Sequence, residues 1–161
     1  MVNLDDRFRV RVTVGAVVER DGKILCVEEN KKFPDDPEVV LVTPGGHLEP
    51  DESIINGILR EVREETGYTV EPVDLIGVYQ NNYTHGGPSI KFAFRANVVS
   101  EETVPVEDES VLRVLWVPKD ELQKRRKEWR PGSTVQQLDD YFKDTHFPLD
   151  LLHYSNVIKT P

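Results

Sequence analysis

The stretch from Gly46 to Tyr68, GHLEPDESIINGILREVREETGY, decides how the rest of the chain is read. On an ideal helix, which advances about 100° per residue, Glu61, Glu64 and Glu65 fall within one arc of roughly 100°. Like charges gathered that closely repel one another, which costs stability unless something positive lies between them. Oxygen-only donors clustered in this way suit a hard cation such as Mg²⁺ or Mn²⁺. The helix is predicted to start near Asp51, with Pro50, Asp51 and Glu52 as its opening, and to stop at Gly67. Its buried stripe is Ile54, Ile55, Ile58, Leu59 and Val62, and the three glutamates lie along one margin of that stripe, where a ligand can be reached and held. Gly57 lies on the glutamate arc, four residues before Glu61. Glycine inside a helix costs about 1 kcal/mol relative to alanine. A loop or phosphate approaching a bare patch would account for it; loose packing is the plainer alternative.

Upstream of that helix, Arg9 to Arg20 is rich in β-branched residues and ends at Asp21-Gly22, a two-residue hairpin signal, with Lys23 to Glu28 as the returning strand. Residues 30–37 are polar, hold two prolines and read as a surface loop. A short apolar strand, Val39 to Thr43, delivers the chain to Pro44-Gly45-Gly46. Paired glycines there fit a backbone that turns tightly beside a ligand, where a side chain would intrude.

Downstream, Asp74 to Asn82 and Ser89 to Val99 read as strands joined by residues 83–88. An acidic loop, Glu101 to Glu109, leads to a further strand at Val111 to Val117. Pro118 to Leu122 opens a short helix, and Thr134 to Phe142 is amphipathic, with Val135, Leu138 and Phe142 on one face. The tail from Phe147 is apolar enough to pack on the domain. No repeat or linker interrupts this order, so residues 1–161 read as a single domain of α/β class with a mixed sheet.

Charge and cysteine content narrow the function. The chain holds 29 acidic and 20 basic residues, for a net charge of −9, which repels nucleic-acid backbones and anionic membranes. No nucleic-acid or membrane partner is therefore expected, and a polyanionic substrate would need metal ions to bring it in. The lone Cys26 lies in the apolar run Ile24 to Val27 and reads as a buried thiol. With no leader pattern in Met1 to Asp6, no disulfide and no membrane-spanning stretch, the expectation is a soluble cytoplasmic protein, monomer or homodimer.

Read as Gly46, five residues, Glu52, seven residues and then Arg60-Glu61-Val62-Arg63-Glu64-Glu65-Thr66-Gly67-Tyr68, the stretch resembles the Nudix box of the Nudix hydrolases at every fixed polar and glycine position. The last position is usually aliphatic, so Tyr68 departs at a packing site. The resemblance implies an α/β/α sandwich and a metal-dependent hydrolase acting on a phosphoanhydride bond in a small diphosphate-containing molecule. It implies Glu61, Glu64 and Glu65 as metal ligands, with the Gly45 carbonyl as a further one beside Gly46. Arg60 would pair with neighbouring carboxylates and fix their orientation, with Glu52 as its partner. Clustered carboxylates holding Mg²⁺ or Mn²⁺ clamp phosphates and lower the pKa of a bound water.

The group that activates the water differs within the family. A box glutamate is favoured over a loop acid, for which Glu109 is the choice, with Glu107 and Asp108 as rivals. The box is silent on what the diphosphate is attached to. His47, Tyr83, His85 and Phe92 are candidates for substrate contact, with Tyr79 as a further aromatic, against the plainer readings of loop polarity and strand core. The basic run Lys124 to Lys127 reads as a solvated helix face or an attractor for the anionic end of a substrate. Residues 130–132 and 146–150 are similar to a bacterial subgroup that hydrolyses nucleoside di- and triphosphates and the pyrophosphate of a thiamine precursor. The competing class is a catalytically silent Nudix-fold nucleotide sensor, which usually lacks a box glutamate; here the box is complete.

Overall fold

A computed structural model describes residues 9–32, 34, 36–83, 87–100 and 103–155, without the side chain of Tyr83. Six strands, β1 (Arg11–Arg20), β2 (Lys23–Glu29), β3 (Val40–Val42), β4 (Thr69–Tyr83), β5 (Gly87–Ser100) and β6 (Val111–Pro118), form a mixed sheet. Its order is β3-β2-β1-β5-β4, with β6 on β2. β1 and β5 run parallel, and the remaining pairs are antiparallel. The helices are α1 (Ile54–Thr66), α2 (Lys119–Lys124) and α3 (Ser133–Phe142).

Alternation along the strands sends successive residues to opposite faces, and each face is covered. Val14, Ala16, Val18 and Phe94 pack with Ile58 and Val62 of α1. Val17, Ala93 and Ile76 pack on the other side with Leu122 of α2 and Leu138 and Tyr141 of α3. The result is the predicted α/β/α sandwich. Cys26 is buried in the second of these cores, and burial pushes its thiol up to about 12.

One irregularity makes room for a site. β1 and β2 pair only at Glu19–Ile24 and Arg20–Lys23, next to the Asp21-Gly22 turn, where both residues have positive φ. Farther along, β2 pairs instead with β3. The chain leaving β3 follows β1: Ala16 N–H donates to Pro44 O at 2.9 Å, Val14 N–H to Gly46 O at 2.9 Å, and Leu48 N–H to Val12 O at 3.0 Å. The segment ahead of α1 is thus wedged between two splayed strands.

Several boundaries shift from the sequence reading. α1 begins after Ser53, whose hydroxyl accepts from Asn56 N–H at 3.0 Å, and not near Asp51, which sits at φ 66° in a turn. β4 starts at Thr69 rather than Asp74, tolerating Pro72 because it pairs only with β5. Tyr68 fits its packing site through an edge-on contact with Trp116, whose indole N–H donates to the tyrosine hydroxyl at 3.0 Å. The tail docks partly, as expected. Phe147 exchanges backbone hydrogen bonds with Leu75, and Leu149 and Leu152 pack on the α1 core, while Leu151 is exposed.

Candidate active site

Gly45 and Gly46 allow two glutamates to stand against the backbone. The carbonyls of Pro44 and Gly46 are turned to β1, so Gly45 faces the other way, and its N–H donates to Glu65 Oε2 at 2.8 Å. Its φ of 152° disfavours any side chain, and a Cβ there would meet Val14 O at 2.2 Å. A Cβ on Gly46 would lie 2.4 Å from Glu61 Oε2. Gly57 is also explained: a Cβ there would meet Leu48 Cδ1 at 2.7 Å and Glu52 Oε1 at 3.0 Å, so the loop before the helix takes the bare patch.

Arg60 is the hub. Its Nε and Nη2 hold Glu52 at 3.2 and 2.7 Å, Nη1 reaches Glu61 at 2.9 Å and Glu64 at 3.1 Å, and Nη2 donates to His47 O at 3.0 Å. The bidentate hydrogen bond from Arg60, reinforced by Glu49 N–H, holds the Glu52 carboxyl below its usual range. Glu61 goes the other way. Burial raises its pKa despite Arg60, with Glu64 and Asp108 adding repulsion. Glu65 is pushed up to about 8 by burial, against the Gly45 N–H and with Glu29, Glu61 and Asp108 nearby. The surroundings of these two box carboxylates therefore disfavour their charged forms.

The acidic loop is docked on the end of α1. Glu107 N–H and Asp108 N–H donate to Glu64 O at 2.8 and 3.3 Å, and Val104 N–H donates to Gly67 O at 3.0 Å. This arrangement turns Asp108 into the cleft, its carboxylate accepting from Ser110 N–H at 2.7 Å. Glu109, the choice from sequence, is exposed on the outside of that turn and does not line the cleft; nor does Glu107. The loop acid that reaches the box glutamates is Asp108.

The cleft has a volume of about 450 Å³. Glu61, Glu64, Glu65 and Asp108 line one side with Arg60 and His47, and Lys91, Thr43, Arg130 and the first turn of α3 line the rest. Glu29 closes this second wall, accepting from Lys32 at 2.9 Å and Arg130 at 3.0 Å. Burial, eased by Glu65, pushes the Lys91 amine down to about 8. Lys91 escaped the sequence reading because a lysine alternating with Ile90, Phe92 and Phe94 looks like the solvent face of a strand.

The other substrate candidates divide. His47 lines the cleft, and enclosure of its ring, with Arg11 and Lys32 nearby, holds its imidazole below the ordinary range. Phe92 does not reach it, because its strand position points into the α1 core. Tyr79 packs on the opposite core and donates to Asp140 at 2.9 Å. The Tyr83 side chain and His85 lie outside the described residues. The basic run is internally engaged: Arg125 pairs with Glu28 and Glu128, and Arg126 with Asp139, leaving no free cationic face on those arginines.

Glu61, Glu64, Glu65 and Asp108 offer only carboxylate oxygens, the donor chemistry of a hard divalent cation, whose charge would offset the burial and neighbouring acids that raise Glu61 and Glu65. The side chains stand in an arginine-bridged arrangement: among the described residues, no three acidic, histidine or cysteine groups converge on one point. Glu61 and Glu64 each meet Arg60 through one oxygen, so their second oxygens are the ones that would face an ion.

The NUDIX domain family model matches residues 9–138. The chain belongs to the Nudix family. Among curated Nudix relatives, it is 29% identical over 147 residues to Phosphatase NudJ of Shigella boydii, covering 90% of this chain and 92% of that one. Among solved structures, a NUDIX hydrolase from Nitrosomonas europaea superposes with a TM-score of 0.80 at 37% identity, covering 91% of this chain and 98% of the other. The NUDIX domain of Shewanella oneidensis NrtR, complexed with ADP ribose, shares the fold at a TM-score of 0.66 and 21% identity, over 88% and 92% of the two chains. The protein is a Nudix hydrolase, a class of enzymes that generally use divalent metal ions and act on small diphosphate substrates.

Proposed function

We propose that this Nudix hydrolase uses Mg²⁺ or Mn²⁺ to cleave a phosphoanhydride bond in a small molecule, either a nucleoside di- or triphosphate or a diphosphate carrying another group. The observation that carries this reading is that Glu61, Glu64, Glu65 and Asp108 line a single cleft that also presents Lys91 and Arg130. Glu61, Glu64 and Glu65 would hold the cation, with the Gly45 carbonyl as a further ligand on the side turned from β1. Bound there, the ion neutralises phosphate charge and makes a water more acidic. Arg60 orients Glu61 and Glu64 and is itself fixed by Glu52 and the His47 carbonyl. A box glutamate accepts the water's proton, since a carboxylate on a packed helix is held more accurately than one on a loop. Asp108 adds a carboxylate from above the helix end. The similarity to a protein named as a phosphatase favours substrates with a terminal phosphate.

The test is phosphate and nucleotide release from a panel of nucleoside di- and triphosphates, ADP-ribose and thiamine-precursor pyrophosphate in Mg²⁺. Release from at least one of them is expected. No turnover of any, with metal bound, would refute the proposed reaction.

A further inference from the structure

We propose that Lys91 is a substrate-binding residue of this cleft, its ammonium receiving a phosphoryl oxygen together with the hydroxyl of Thr43. This rests on the reading of the cleft as a diphosphate site. Lys91 lies on β5 next to Ala93 in the inward alternation, 8% exposed, yet it lines the cleft. A strand lysine ordinarily carries its charge out to water along its own methylenes. Here the side chain runs over β1 at Gly15, where a Cβ would fall 2.4 Å from Lys91 Cε and 2.8 Å from Nζ. Glycine in a strand interior weakens it and often marks close approach. At this position it opens the slot that admits the lysine.

Two polar side chains nearby have atoms with no hydrogen-bond partner among the described residues. Thr43 is 3% exposed and lines the cleft, and its Oγ1 has no hydrogen-bond partner among the described residues. Gln137 of α3 is fully buried, its Oε1 would lie 3.3 Å from the same Gly15 Cβ, and neither of its amide atoms is bonded among the described residues. Buried polar groups are costly to leave unbonded, so the Thr43 hydroxyl on the cleft wall is placed to meet a hydrogen-bonding ligand. No phenylalanine, tyrosine or tryptophan lines the cleft among the described residues, which favours recognition by charge and hydrogen bonds. A compact ammonium with three donors is suited to a phosphoryl group. The competing role for Lys91 is as counter-ion to Glu65 and Glu29, whose charges it feels.

The two roles separate by binding. Methylenediphosphonate, a diphosphate that cannot be hydrolysed at its bridge, is titrated calorimetrically into the parent, Lys91→Met and Thr43→Val at saturating Mg²⁺. Mg²⁺ binding is titrated separately. Lys91→Met is expected to weaken methylenediphosphonate at least about tenfold and Thr43→Val about threefold, with the Mg²⁺ midpoint within about twofold of the parent. Absence of binding to the parent, equal binding by parent and Lys91→Met, or a change confined to the Mg²⁺ midpoint would overturn the assignment. If Lys91→Met does not fold, Lys91→Gln and Thr43→Val decide it by the same measure. Binding is read without turnover, so a parent that binds the diphosphonate but hydrolyses nothing would refute the reaction and not the role of Lys91.

Discussion

Arg60 holds two kinds of carboxylate in different states. Glu52 belongs to the scaffold, while Glu61 and Glu64 share the guanidinium at its other end and keep oxygens for the cleft. Glu64→Gln should therefore retain the fold, because among the described residues the side chain's hydrogen-bond and ion-pair partner is Arg60 alone and it is 37% exposed. It should also lower turnover by at least about a hundredfold, or roughly 2.7 kcal/mol of barrier. Turnover within about tenfold of the parent would remove Glu64 from the machinery. Glu65 allows a test by pH. Its carboxyl titrates at about 8 in the fold against about 4.3 when unfolded. The native state thus binds the extra proton between those values, and its contribution to stability is lost as pH rises through them. Lys91 changes charge differently from the unfolded chain only above about 8, outside that window. In chelator, Glu65→Gln should raise the melting temperature by about 4 °C or more at pH 7.5 and by under about 1 °C at pH 4. Equal shifts at the two pH values would contradict the charge state assigned to Glu65.

α1 works as an element because both its ends are tied to loops that carry site groups. At its C-terminus, Gly67 sits at φ 75°, and a Cβ there would press on Val104 O at 2.1 Å. Gly67→Ala should cost about 1–3 kcal/mol in urea unfolding, since the left-handed backbone and the loop contact are both lost; a cost under about 0.5 kcal/mol would show the docking to be incidental. The same docking decides which loop acid matters. Asp108→Asn should weaken turnover about tenfold at limiting Mg²⁺ and recover as Mg²⁺ is raised, whereas Glu109→Gln should stay within about twofold throughout. A loss of about 10²–10⁴-fold in Asp108→Asn that extra metal does not relieve would make Asp108 the base. Sequence spacing brought the box carboxylates together on one helix face, because a helix fixes neighbours three and four residues apart. It ranked Glu109 ahead of Glu107 and Asp108, while the loop turns Asp108 into the cleft, because a loop's facing is set by the hydrogen bonds from residues 107 and 108 to Glu64 O, and these join elements far apart in the chain.

Across the whole molecule, the sandwich follows from alternation that sends Val17 and Val18 of one strand to opposite cores. That pattern, the Asp21-Gly22 turn and the box helix were legible residue by residue. The cleft's second wall was not. Lys91, Thr43 and Arg130 come from β5, the end of β3 and the approach to α3, and only the splay of β1 from β2 brings them opposite the glutamates. Phe92 packs against the α1 core and does not line the cleft, a placement hidden from the sequence because alternation alone does not say which face of a strand a site occupies. With a net charge of −9 and four carboxylates on one wall of the cleft, the protein would repel a polyphosphate unless cations intervene. The most direct test of this account is turnover of the best panel substrate across a Mg²⁺ titration, followed by excess chelator. Activity should rise from baseline with Mg²⁺, vanish in chelator and return when metal is restored; undiminished turnover in chelator would contradict it.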